Sequence, residues 1–148
     1  MVRSRSRCRG RLRTRVSSFD APRPRAAPSL IRATTLQGVS VTKELSEITL
    51  IVAIKQSCDG CRDFVRSPLS ELAGVAVVII STTGDVDGEW SDAVQPILVA
   101  PGAIDELDIR WPPFYVLVDP RAGRVITEGV VLGPAQVASE IAPYLAPS

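Results

Sequence analysis

The chain has no histidine. That absence excludes Ser–His and Cys–His nucleophile pairs, histidine general bases and every metal site built on an imidazole. Cysteine is scarce as well. Cys8, Cys58 and Cys61 in 148 residues are too few for a disulfide-stapled miniprotein. Long apolar runs are missing: the longest, 48–54 (broken by Thr49) and 75–80, fall far short of the roughly 20 residues that span a bilayer. No apolar segment follows the basic start as it would in a secretory signal. No membrane span is therefore expected, and the sequence as it stands reads as cytoplasmic, or as extracytoplasmic if its true start differs. A length of 148 residues is that of one domain with a real core.

The formal net charge of +1 conceals an asymmetry. Residues 1–32 hold ten arginines and one acid, Asp20, while the remainder holds seven bases and fifteen acids. The arginines alternate with small or polar residues from Arg3 to Arg15, and Pro22, Pro24 and Pro28 follow. This composition reads as a disordered Arg/Pro-rich tail over 1–32, ahead of a folded, acidic domain over 33–148. Such a tail suits an arm for nucleic acid or acidic lipid, a transit segment, or an extension without function. No aromatic residue is interleaved with the arginines, so there is no stacking platform for bases and nucleic acid is disfavoured as a partner. Cys8 reads as a bystander within the tail.

Order is expected to begin near Thr35, with a short strand pair over 36–41 turning at Gly38. The continuous run 49–54 fits a strand buried on both faces, as does 75–80. Between them Phe64, Val65 and Leu69 fall at helical spacing, with Pro68 limiting the helix. Residues 82–89 form a polar loop. Its Asp85-Val86-Asp87-Gly88 segment lacks the register and the closing glutamate of a calcium loop. A short helix is expected over 90–95, a strand over 97–100 and a helical turn over 103–107. Strands over 114–118 and 125–131 are joined too tightly for a crossover, so they pair as an antiparallel hairpin. Pro134 opens a last helix over 135–144 that buries Val137, Ile141 and Leu145. The pattern is that of a three-layer α/β sandwich: a central mixed sheet with flanking helices, closed by a C-terminal antiparallel hairpin and helix.

Cys58-Asp59-Gly60-Cys61 falls at the junction of a buried strand and a helix. At a helix N-terminus the unpaired N–H groups and the macrodipole favour a thiolate at the first cysteine. The second lies one turn on, close enough to attack a mixed disulfide. A redox pair is the reading this context supports best; a structural disulfide or half of a zinc site uses the same residues, although no second cysteine pair and no histidine completes the latter. Two charges flank the pair. Asp59 disfavours a Cys58 thiolate and Arg62 favours it. Trp90 reads as a packing residue, and Trp111 as either packing or substrate contact.

With these residues in place the chain resembles the thioredoxin-like family, and within it the bacterial thiol-disulfide oxidoreductases that carry an extra hairpin before the first core strand. The resemblance rests on the strand leading into Cys58-Asp59-Gly60-Cys61, and on Pro113-Phe114-Tyr115-Val116-Leu117-Val118-Asp119 followed by Gly123-Arg124-Val125. It covers about residues 36–146. It implies that Cys58 and Cys61 catalyse thiol-disulfide exchange. It also implies that Pro113, with Pro112 before it, is a cis-proline that faces them and helps bind substrate backbone, which would put Trp111 beside the substrate if it is a contact rather than a packing residue. No cofactor or metal is called for, the partners are protein thiols or disulfides, and the upstream redox partner is left open. Ser57 stands where thioredoxin has Trp, Asp-Gly replaces Gly-Pro between the cysteines, and Val52 replaces a buried carboxylate. These departures point away from a general reductase. Lys55 stands where a peroxiredoxin has Thr. The alternative within the same fold is a binding or maturation module without general redox turnover.

Overall fold

All six residues of Thr49–Ile54 are buried, and the sheet is built outward from this strand. The computed structural model describes residues 25–85 and 87–145. In chain order the strands are β1 (Leu30–Thr35), β2 (Ser40–Glu44), β3 (Thr49–Ile54), β4 (Ala76–Ser81), β5 (Ile97–Val99), β6 (Phe114–Asp119) and β7 (Arg124–Val130). The helices are α1 (Asp59–Arg66), α2 (Pro101–Glu106) and α3 (Pro134–Leu145), with a 3₁₀ turn at Ser70–Leu72. The sheet order is β2-β1-β5-β4-β3-β6-β7. β3 runs parallel to β4 and antiparallel to β6, so a βαβ crossover and a hairpin meet at one central strand.

Alternation along β3 separates two apolar layers. Leu50, Val52 and Ile54 face a cluster with Cys61, Phe64 and Val65 of α1, and with Val137 and Ile141 of α3. Ile51 and Ala53 face the other cluster with Ala103 and Ile104 of α2 and with Val116 and Val118 of β6. Helices on both faces make the three-layer α/β sandwich expected from the sequence. Among the described residues no helix is long and apolar enough to cross a membrane.

Three expectations are corrected. The boundary at 32/33 falls inside β1. The first hairpin is longer than 36–41 at both ends, running from Leu30 to Glu44, with 36–39 forming its turn and Gly38 at φ +84°. Residues 25–32 belong to the domain. Val125 donates its N–H to the Arg25 carbonyl at 2.9 Å, Ala27 donates to Gly123 at 3.0 Å, and Ile31 is 1% exposed. Arginines on either side mask this segment in composition, yet strand alternation sends Arg32 to solvent and Ile31 to the core. Residues 1–24, including Cys8, lie outside the described residues. Finally, 90–95 is a series of turns rather than a helix. The Val94 N–H is spent on the Val65 carbonyl (2.8 Å) and the Gln95 amide on the Ser67 carbonyl (3.2 Å), tying this segment along α1.

Candidate active site

β3 delivers the chain to α1 through four residues, and the geometry of that turn places both cysteines. Cys58 is the N-cap of α1, extended at φ −133° and ψ 109°, and its sulfur accepts the Cys61 N–H at 3.1 Å. A sulfur thus takes the role that a Ser or Asp oxygen plays at ordinary caps, satisfying one of the helix's free N–H groups. The Cys58 carbonyl accepts the Arg62 N–H at 3.1 Å, which starts the helical ladder. Cys58 is half-buried and Cys61 fully buried. Their Cα atoms are 5.2 Å apart and the sulfurs lie at disulfide distance. Only the first cysteine therefore presents a surface to a partner.

Asp59 occupies the first turn of α1 and is exposed. Arg62 is half-buried one turn on, and its Nε atom is buried without a hydrogen-bond partner among the described residues. The Pro112–Pro113 bond is cis. Pro113 immediately precedes β6, where Phe114 pairs with Ala53 of β3. The tandem prolines thus lie at the end of the sheet from which the redox turn departs. The Pro113 carbonyl accepts the Val131 N–H at 3.1 Å, joining this loop to the segment after β7. Trp111 is 77% exposed, and so does not pack in the core. Trp90, by contrast, is 1% exposed and donates its indole N–H toward Ser81 Oγ and the Thr83 carbonyl, both at 3.2 Å. Packing was the expected role.

Sequence reasoning missed Glu89. Both of its carboxylate oxygens accept the Ser57 N–H, each at 2.9 Å, across 32 residues of sequence. Ser57 is held at φ +61°, a left-handed conformation unusual for a residue with a Cβ. Nothing in the spacing of the polar loop 82–89 marks Glu89 out, because only the crossover of β4 beside β3 brings the two segments together. Further along the same segment Arg66 pairs with Asp92 at 2.6 Å, and the Arg66 hydrogen bond holds the Asp92 carboxyl below its usual range.

No protein-family model and no curated protein sequence matches the chain. Solved structures do. The thioredoxin domain of a thiol-disulfide oxidoreductase from Bacteroides vulgatus superposes with a TM-score of 0.62 at 18% identity, covering 85% of this chain and 100% of that one. StoA from Bacillus subtilis gives 0.56 at 16% identity, covering 77% of this chain and 97% of the other. A secreted disulfide oxidoreductase from Mycobacterium tuberculosis, homologous to DsbE, gives 0.57 at 20% identity over 76% of this chain and 95% of its own.

Proposed function

We propose that the protein, which has a thioredoxin-like fold with a Cys-x-x-Cys pair at the start of its first helix, is a thiol-disulfide oxidoreductase acting on protein thiols or disulfides through Cys58 and Cys61. The Cys58 sulfur carries this reading. It sits half-exposed at the helix N-cap, where an N–H hydrogen bond and the helix dipole both favour a thiolate.

In the reducing direction the Cys58 thiolate attacks a substrate disulfide. A Cys58–substrate disulfide forms and one substrate thiolate leaves and takes up a proton. Cys61, deprotonated, then attacks the Cys58 sulfur, forming the Cys58–Cys61 disulfide and releasing the second substrate thiol. The substrate gains two electrons and the pair loses two, and running the steps backwards oxidises a substrate dithiol. The nucleophile and resolver roles follow from exposure, since Cys61 is too buried to meet a macromolecule first. Arg62 supports the thiolate and Asp59 opposes it.

Substrate docks on the cis-proline end of the sheet. Pro112 and Pro113 offer no N–H, so at these two positions a substrate main chain can be met only by a carbonyl, and the Pro113 carbonyl already accepts the Val131 N–H. Trp111 and Leu132, 77% and 81% exposed, supply apolar surface in the two segments that the Pro113–Val131 bond ties together. A secreted structural neighbour favours the extracytoplasmic over the cytoplasmic reading.

The test is exchange with a disulfide substrate such as insulin. Cys58→Ser should abolish turnover, whereas Cys61→Ser should accumulate a mixed disulfide visible on a non-reducing gel. Loss of activity in both variants with no trapped species contradicts the assignment, and an inactive wild type leaves the fold as a binding module.

A further inference from the structure

The carboxylate of Glu89 and the backbone it grips have no part in the core. Ser57 is exposed, and Glu89 reaches it from a different loop. Neither group is needed to close the sheet or to seat α1, which is already held by Phe64 and Val65 in the core and by the Val94 and Gln95 bonds at its far end. The contact is nonetheless well anchored. Glu89 precedes Trp90, whose indole is fixed to β4 through Ser81 and to the following loop through Thr83. The segment 89–95 therefore runs alongside the redox helix and touches it at both ends: Ser57 before its N-cap, and Val65, Arg66 and Ser67 at its close.

We infer that Glu89 is a positioning residue of the redox turn: its carboxylate holds Ser57 in the left-handed conformation and fixes a negative charge one residue before Cys58, biasing the pair toward its disulfide form. This rests on the exchange reading given above. The physical basis has two parts. A left-handed Ser is strained and persists only where the surroundings over-determine it. The bifurcated bond from Ser57 N–H supplies that constraint. The charge then acts on ionisation. A carboxylate beside a thiol destabilises the thiolate and leaves the thiol and the disulfide untouched. At Val52, where a buried carboxylate would act on the cysteines from inside the core, this chain has none; the Glu89 carboxylate is held instead at the backbone N–H of the residue that precedes Cys58.

The two parts separate in experiment. Glu89→Gln retains an amide oxygen for the Ser57 N–H and removes the charge, whereas Glu89→Ala removes both. Thiolate absorbance of the reduced protein, followed against pH, reads the charge without any turnover, so it stands even if no substrate is ever exchanged. Because the carboxylate is partly solvated and screened, Glu89→Gln should raise the thiolate fraction roughly threefold at a pH below the titration midpoint. The reduction potentials of wild type and Glu89→Gln, measured against glutathione, should coincide where both thiols stay protonated. They should diverge as pH rises through the Cys58 titration, the variant becoming more oxidising by about 15 mV for a threefold change. Hydrogen exchange at the Ser57 amide reads the clamp: it should stay slowed in Glu89→Gln and be released in Glu89→Ala. An unchanged thiolate titration in Glu89→Gln, a potential offset equal at every pH, or a Ser57 amide equally exchangeable in all three proteins overturns the inference.

Discussion

Replacing Val52 with aspartate puts a carboxyl of similar size into the centre of the sheet, on the face that holds Cys61. Val52 is 0% exposed, pairs with Ile79 on β4 and Tyr115 on β6, and packs in the cluster beneath α1 and α3. Two costs apply even to the neutral acid. Losing the buried valine side chain costs about 1.5–3 kcal/mol, and burying a carboxyl without a partner adds about 1–3 kcal/mol. A third cost depends on pH. Full burial raises a carboxyl's titration point by about 3–5 pH units above the unfolded value of about 4. Below that unfolded value both states hold the proton and the penalty is constant. Above it the unfolded chain releases the proton while the folded chain keeps it, so stability falls by about 1.4 kcal/mol per pH unit until the folded carboxyl also ionises. By neutral pH the total penalty reaches roughly 6–10 kcal/mol, comparable with the whole stability of a domain of about 120 residues. Val52→Asp should therefore fold in mild acid and be marginal or unfolded near pH 7. Val52→Asn, which has no proton to lose, should show a penalty that is flat with pH. Denaturant midpoints relative to wild type, measured from about pH 4 to 8, provide the assay. A gap between Val52→Asp and wild type that stays constant over that range would refute the reasoning, because it would mean that water reaches this position.

Three further outcomes are expected. Ile31→Ala should cost about 2–5 kcal/mol and Arg32→Ala no more than about 0.5 kcal/mol by denaturant midpoint; equal effects would show that β1 is not seated on the core. The Tyr115 hydroxyl donates to Glu140 at 2.7 Å, and Gln136 and then Tyr115 hold the Glu140 carboxyl below its usual range, while burial, followed by Glu140, pushes the Tyr115 phenol up. A depressed carboxyl contributes stability that is present above its unfolded value and lost as pH falls through the lower folded one, so Glu140→Gln should flatten the acid side of a melting-temperature profile; an identical acid slope would count against the contact. Finally, Trp111→Phe should leave an emission from Trp90 that is blue-shifted and shielded from iodide, and Trp90→Phe should leave a red-shifted, quenchable one; the reverse pattern would contradict the burial assigned to the two indoles.

Local chemistry made much of this molecule readable from its sequence. Thr49–Ile54 is apolar and β-branched enough to be a strand buried on both faces, Pro68 ends α1 before Leu69, and the spacing 119–123 admits a hairpin and no crossover. Cys58 and Cys61 were legible for the same reason: a strand-to-helix junction presents unpaired N–H groups, whatever the rest of the chain does. Composition misled where long-range contact outweighed it. Ile31 sits among arginines and prolines, and only β2 on one side and β5 on the other make a strand of its segment. Trp90–Gln95 had a helix's length, but the Val94 N–H is taken by Val65 of α1 and the Gln95 side-chain amide by Ser67 just beyond it. Glu89 lay beyond any sequence reading, because a carboxylate 32 residues from its partner acquires a role only when a crossover sets the two loops side by side. Periodicity and turn chemistry are short-range and survive in the sequence. Which polar group meets which depends on the packed sheet, and that pairing is decided only by the tertiary structure.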